Sequence, residues 1–340
     1  MEALNALQNT HRVSALVIGD VMLDAYLIGQ VNRISPEAPV PIVDIHQRDK
    51  RLGGATNVAK NLVALGARVQ IAATVGNDAA GQEIQRLLHA QGIGTRALVE
   101  VSNRPSTVKT RVISNGQQLL RVDEEQASEL EEPWTTNLIA QCKDIVASER
   151  IDVVIFEDYD KGTLTPLVID AVTALCRAKG IKTTVDPKFR NFDCYRHVDL
   201  FKPNLKEMRE GLAMAIHKES DASLAQAVQR MHERLEASIS MVTLSERGVC
   251  IYAPDHGQDY QRIPAFEREI TDVSGAGDAV IAVASVLLAL DVPIWQIAAL
   301  ANLAGGLVCE KVGVVTVELE RLQAEWASHA DAMAALMNSK

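Results

Sequence analysis

The sequence predicts an α/β chain, a doubly wound and mostly parallel sheet with helices on both faces, carrying in addition a small β-sheet lid. Three observations carry this. Short β-rich apolar runs alternate with longer runs at helical spacing, the pattern of strand–helix–strand units. One stretch, STVKTRVISNGQQLLRVDEE (106–125), breaks that rhythm with two alternating runs joined by Asn115-Gly116, a hairpin signal. And 340 residues of 47% hydrophobic content supply ample core for one large α/β domain or two smaller ones.

Taken in order, SALVIGD (14–20) reads as a buried strand closed by Gly19 and Asp20. The polar, proline-bearing RISPEAPVPIVDI (33–45) follows, and segments 25–45 and 106–122 are expected to build the lid. In LGGATNVAKNLVALGARV (52–69), Val58, Ala59, Leu62 and Leu65 share one helical face, with Gly66 placed as the C-terminal cap. A strand at 69–75 and a helix at 79–90 come next. Beyond the hairpin the same reasoning gives a strand at 151–157, a helix at 165–179, a strand at 181–186, and helices at 205–213 and 221–236. Paired strands are expected within 238–254, then helices at 276–290 and 294–311. The stretch 317–340 reads as a terminal helix or frayed tail. No internal repeat and no low-complexity linker interrupts the chain.

The charge balance, 34 basic against 44 acidic residues, argues against a nucleic-acid or anionic-membrane partner held by bulk charge. Five scattered cysteines without C-x-x-C spacing fit reduced thiols and a cytoplasmic protein. No signal peptide is expected from MEALNALQNTHR, and the apolar run 276–290 contains Asp278 and is too short to span a bilayer. The eight histidines form no H-E-x-x-H and no Cys/His pairing, so a tight transition-metal site is not expected. Neither G-x-x-x-x-G-K-[ST] nor a strand-linked G-x-G-x-x-G occurs, which leaves P-loop and dinucleotide folds without their fingerprints.

The stretch with the most chemistry in it is DVSGAGDAV (272–280). Ser274 is placed as an N-cap, so the amides of Gly275, Ala276 and Gly277 are expected among the unpaired N–H groups at a helix start, where the glycines let an anion approach closely. Asp278 then has two readings. It either stabilises the helix dipole or acts as a base beside the anion hole, the pairing that phosphoryl transfer to an alcohol needs.

DVSGAGD (272–278) resembles the C-terminal signature of the ribokinase/PfkB carbohydrate kinases, and GGATNVAKNLVALG (53–66) resembles their N-terminal glycine-pair signature. The similarity runs over about residues 13–316 as one kinase domain. What the resemblance implies is an ATP-dependent sugar kinase using Mg²⁺, and a monovalent cation such as K⁺, with Asp278 as catalytic base and the 275–277 amides as the anion hole. Asp20 would bind sugar hydroxyls, helped by Asp24, with Gly53, Gly54 and Asn57 lining the sugar site; as bare residues these also read as a strand-end acid, a turn and a helix N-terminal amide. KPNLKEM (202–208) resembles the family's N-x-x-E motif, in which Asn204 and Glu207 hold the metal through water, although the same spacing is an ordinary capping pattern. Thr243, Ser245 and Gly248 in TLSERG would border the nucleotide, and Asn302 its adenine. Lid pairing into a homodimer is also implied.

Within the family, RISPEAPVPIV, QQLLRVDEE, EDYDKGTLT and VDPK resemble the branch that phosphorylates O1 of D-glycero-β-D-manno-heptose 7-phosphate on the route to ADP-heptose and lipopolysaccharide. The H-x-G-H motif of a fused adenylyltransferase is absent, so the stand-alone kinase is expected. A substrate that already carries phosphate needs cations, and Arg33, Lys109, Arg111, Arg121, Lys161, Lys188 and Arg190 lie in or beside the lid or at strand ends. Two or three of them are expected to touch the sugar phosphate, with Lys161 and Lys188 equally placed to serve ATP. Rival readings are a kinase of the same family acting on ribose, a nucleoside, fructose 1-phosphate or a keto-sugar acid, a catalytically silent sugar or nucleotide sensor, and a nicotinamide dehydrogenase.

Overall fold

The computed structural model describes residues 2–338, with side chains through residue 330. In chain order the elements are α1 (Glu2–Gln8), β1 (Ser14–Gly19), β2 (Val21–Ile34), β3 (Pro41–Gly54), α2 (Ala55–Ala64), β4 (Arg68–Gly76), α3 (Ala79–Ala90), β5 (Gly94–Val101), β6 (Val108–Ser114) and β7 (Gln117–Glu124). There follow α4 (Trp134–Ser148), β8 (Val153–Glu157), α5 (Pro166–Lys179), β9 (Lys182–Asp186), β10 (Leu200–Phe201), α6 (Leu205–Leu212) and α7 (Asp221–Leu235). The chain closes with β11 (Ile239–Thr243), β12 (Val249–Ala253), β13 (Gln258–Ile263), α8 (Ala276–Ala289), α9 (Ile294–Cys309) and α10 (Leu319–Asn338).

Nine strands form the main sheet in the order β13-β12-β11-β10-β9-β8-β1-β4-β5, parallel from β11 to β5 and antiparallel only where β12 and β13 join. Because strand side chains alternate, each central strand feeds two cores. Ala15 and Val17 of β1 pack towards α2 and α8, whereas Leu16 and Ile18 pack on the other face against α4 and α5; β8 splits in the same way, Val153 and Ile155 against Val154 and Phe156. Helix α8 is buried from Asp278 to Leu288, which explains why its sequence is apolar on every side rather than amphipathic.

A second sheet, ordered β3-β2-β6-β7, stands off the main one. Its β6–β7 hairpin turns at Asn115 and Gly116, both with positive φ, as the Asn-Gly signal requires. Of its four connections to the main body, the two at β2 and β3 are the shortest. β1 passes into β2 through Asp20 alone, and β3 passes straight into α2 at Gly54. At that junction the Ala55 amide donates to the Asp20 carbonyl, and Gly54 sits at φ 65° with the Asp20 carbonyl oxygen 2.3 Å from where a Cβ would stand, so a side chain is excluded there.

Some details differ from the sequence reading. Strand β5 and helix α4 are additional elements, and in α4 the buried Leu138, Ile139, Cys142, Ile145 and Val146 keep a helical period. Gly66 ends α2 as expected: it is left-handed at φ 90° just after Leu65, and the Gly66 and Ala67 amides donate back to the Val63 and Leu62 carbonyls. Both ends of the chain join the core, through Ala3 and Leu7 of α1 and through Leu322 and Trp326 of α10. Among the described residues no helix is long and apolar enough to cross a membrane.

Candidate active site

In an open parallel sheet the strands' C-terminal ends leave a crevice where ligands bind. Here β1 delivers Asp20 to that edge, β8 delivers Glu157 and then Asp158 and Tyr159, β9 delivers Asp186, and Lys202 follows β10. Helix α8 begins at the same place. Gly277 faces Asp186 Oδ2 and Lys202 Nζ, which lie 3.6 and 3.9 Å from the position a Cβ would take.

Asp278, in the first turn of α8, is buried, and its Oδ1 accepts a 3.0 Å hydrogen bond from the Tyr159 hydroxyl. Burial, and after it the charge of Asp186, pushes its carboxyl up to about 6, while Tyr159, Asn57 and Lys202 act to hold it down. A carboxylate so placed is ionised at neutral pH yet basic enough to take a proton. Burial and Asp278 keep the Tyr159 phenol well above its ordinary value, so it remains a donor. Lys202, itself buried, pairs with Asp186 at 2.8 Å, and Lys188 pairs with Glu207 and lies over the Tyr159 ring. Glu157 is fully buried, and burial together with Asp186 and Asp278 raises its pKa well above the ordinary carboxylate value.

The helix start differs from the expected one. Ser274 does not cap α8; Gly275 does, in the left-handed region at φ 81°, and the Ser274 amide instead donates to Asp272. The Ala276 amide is spent on the Val273 carbonyl at 3.3 Å. Among the described residues the amides of Gly275, Gly277 and Asp278 make no hydrogen bond, so the hole at the helix start is built from these three.

On the acceptor side, Asp24 is buried and takes a 2.5 Å ion pair from Arg111. Gly53 is the reason Asp24 fits, because a Cβ there would stand 2.4 Å from Asp24 Oδ2. Asn57, buried in the first turn of α2, lies beside Asp278 and leaves its Oδ1 without a partner. Asp20 is engaged with backbone in the structure. Its Oδ2 accepts the amides of Tyr159 and Lys161, and its Oδ1 that of Thr163, so it anchors the loop carrying Tyr159.

Most of the other candidates meet partners within the chain. Arg33 is exposed nine residues along β2 from Asp24, roughly 30 Å at strand rise, and stands apart from the crevice of its own chain. Arg121 is exposed and pairs with Asp123. Lys109 and Lys161 both face Glu125, and Arg190 donates to the Ala127 carbonyl. Asn204 and Glu207 close on each other as a reciprocal capping box at the start of α6, the other Glu207 oxygen being taken by Lys188. Thr243 ends β11 beside Asn204, and Ser245 and Gly248 bound a short turn in which Gly248 takes φ 86° against the Ile263 carbonyl. The Asn302 amide donates to the Pro264 carbonyl and so ties α9 to the chain leading into α8.

Tyr159, Asp186, Lys202 and Glu157 were not among the sequence candidates. Their signal was positional, since each ends or directly follows a β-rich run. Among the described residues no group of three or more His, Cys, Asp and Glu gathers to hold a metal. Both Glu207 oxygens have partners and Asp186 pairs with Lys202, so a Mg²⁺ ion, which keeps several waters, would meet these carboxylates through its waters and the substrate's phosphates. A cavity of about 590 Å³ opens at the opposite edge, between Ser14, Arg68 and Arg150, and contains none of these residues.

Comparison with known proteins identifies the family. Residues 13–321 match the pfkB family carbohydrate kinase profile. The chain is 38% identical over 327 residues to the bifunctional protein HldE of Geobacter metallireducens, covering 96% of this chain and 66% of that protein, and 41% identical over 308 residues to its namesake from Nitratiruptor, covering 91% and 64%. It thus spans just under two thirds of the length of these relatives. Among solved structures, Escherichia coli phosphofructokinase-2 in complex with potassium superposes with a TM-score of 0.75 at 18% identity, covering 93% of this chain and 99% of that one. Arabidopsis thaliana ribokinase complexed with ribose and ATP superposes with a TM-score of 0.70 at 16% identity, covering 92% and 98%. A buried carboxylate in the first turn of a buried helix, bare amides beside it and a second small sheet are thus found in a chain that belongs to the pfkB family of carbohydrate kinases, ATP-dependent enzymes of ribokinase-like fold.

Proposed function

We propose that this kinase transfers the γ-phosphoryl group of ATP to O1 of D-glycero-β-D-manno-heptose 7-phosphate, giving the 1,7-bisphosphate and ADP in the cytoplasm, on the route to ADP-heptose. The observation that carries it is Asp278, held by Tyr159 between the unpaired helix-start amides and the Asp24–Asn57 side of the cleft. The heptose assignment is supported by the stretches 33–43, 117–125, 157–165 and 185–188 and by the relatives that bear the HldE name.

Tyr159 occupies one Asp278 oxygen, and the other accepts the O1 proton as O1 bonds to the γ-phosphorus and the bond to the β–γ bridging oxygen breaks. The amides of Gly275, Gly277 and Asp278 receive the transferring group's oxygens. Asp24 and Asn57 orient the sugar, Lys188 and Lys202 balance charge at the nucleotide side, and the lid excludes water. Asp186 and Glu207 would hold Mg²⁺ through its waters, and the ion would supply charge neutralisation at the phosphates. For K⁺ the described residues offer Asp272 beside the helix start, but both its oxygens are spent on the Ser274 and Gly313 amides, so no step is assigned to that ion.

The lid is also read as a homodimer contact. Leu119, Leu120 and Val122 of β7, with Ile34, Val40 and Ile45, leave apolar surface exposed on a sheet whose edges lack a neighbour. The deciding experiment for the reaction is ADP release across a sugar panel. Heptose 7-phosphate should give the highest kcat/KM, and turnover of an unphosphorylated pentose with none of heptose 7-phosphate would refute the assignment.

A further inference from the structure

Cations around the acceptor side are matched with carboxylates: Arg111 rests on Asp24, Lys161 on Glu125 and Lys188 on Glu207. Lys60 differs. Among the described residues its ammonium makes no ion pair and no hydrogen bond, although its side chain is only partly exposed. It stands one turn after Asn57 on α2, on the same helical face, and helical side chains lean towards their helix's N-terminus, here the Gly53–Gly54 junction under Asp24. Burial and the neighbouring Arg51 disfavour its charged form, while Asp24 and Asp278 favour it, so those groups all lie within its field. A partly buried ammonium left without a counter-anion is costly, and the anion missing from this side of the cleft is one the acceptor would bring. Arg51, opposite Asp24 in the β2–β3 ladder and stacked on Tyr26, is matched in turn by Asp49 at 2.7 Å, which leaves Lys60 as the unmatched cation here.

We propose that Lys60 grips the phosphate group that the acceptor already carries, and so sets the preference of the enzyme for a phosphorylated sugar. This rests on the reading of the acceptor as a sugar phosphate. No sequence motif marks Lys60, which sits in the glycine-pair signature among residues with other tasks.

The test compares wild type, Lys60→Met, Lys60→Gln and Lys60→Arg on heptose 7-phosphate and on the same heptose without phosphate, with thermal melts to confirm folding. Losing one charged contact to a phosphate should lower the selectivity for the phosphorylated sugar by about 10- to 100-fold in the Met and Gln variants, through KM for that sugar. Arginine should restore most of it. Equal losses on both sugars, or a loss lodged in KM for ATP, overturns the assignment. If wild type acts on another sugar phosphate and not on the heptose, the heptose reading fails by itself, and the same comparison on that sugar and its unphosphorylated parent decides Lys60. A wild type that prefers unphosphorylated acceptors overturns both.

Discussion

The Tyr159 hydroxyl and the Asp278 carboxylate are joined by a 3.0 Å hydrogen bond that crosses from the loop after β8 to the first turn of α8. It fixes one oxygen of the base and leaves the other for an acceptor. The loop is in turn held by Asp20, so Asp278 is oriented by a residue at the β1–β2 junction.

Asp278→Asn should retain ATP binding and lose at least about 10²-fold in kcat, the usual scale for removing a general base. Steady-state turnover with nucleotide titration checks this. Undiminished turnover would remove Asp278 from the proton transfer.

The pH dependence follows from the same group. With its pKa at about 6, Asp278 is protonated and unable to accept a proton below that value, so kcat/KM should fall about tenfold per pH unit on the acid side and level off above it. In Tyr159→Phe the hydrogen bond that stabilises the carboxylate is gone. The pKa of Asp278 then rises and the acid limb moves to higher pH; a limb that stays in place would mean the phenol does not tune the base.

Asp20→Asn should destabilise the fold by about 3 kcal/mol, measured by urea unfolding. An amide offers one acceptor oxygen, and its NH₂ group would face backbone donors that the carboxylate now satisfies. A change below about 0.5 kcal/mol would show that the loop does not depend on Asp20.

Gly54→Ala meets two obstacles, a φ of 65° and the Asp20 carbonyl oxygen 2.3 Å from the new Cβ. A loss of about 2 kcal/mol or more in the same assay is expected.

Leu120→Asp on the exposed β7 strand tests the lid contact. Light scattering after gel filtration should give a dimer for wild type and a monomer for the variant, since a buried charge without a partner is costly. A monomeric wild type would refute the pairing.

The alternating pattern, the hairpin at Asn115-Gly116 and the two glycine signatures were readable in the chain because each depends on local rules: side-chain period, positive φ at a turn, and amides left unpaired at a helix start. Asp278 and Asn57 could be singled out for the same reason. The N-cap was misassigned because a serine and a left-handed glycine next to each other are both acceptable helix starts; Gly275 itself has no room for a side chain, since a Cβ would stand 2.9 Å from Val314. The bare Asn204-x-x-Glu207 spacing fits a capping box as well as a metal network, and only the fold showed that Asn204 and Glu207 face each other and that Lys188 takes the remaining oxygen.

By itself, then, the sequence determined the sheet-and-helix architecture, the second small sheet and the place of Asp278 at a helix start, all properties of neighbouring residues. The tertiary structure decided which charges meet. Asp20 closes on a loop 139 to 143 residues away, Arg111 on Asp24 from 87 residues away, and Lys60 is left without a carboxylate. Such pairings depend on how distant strand ends converge at one edge of a sheet, and local propensity carries no information about that distance.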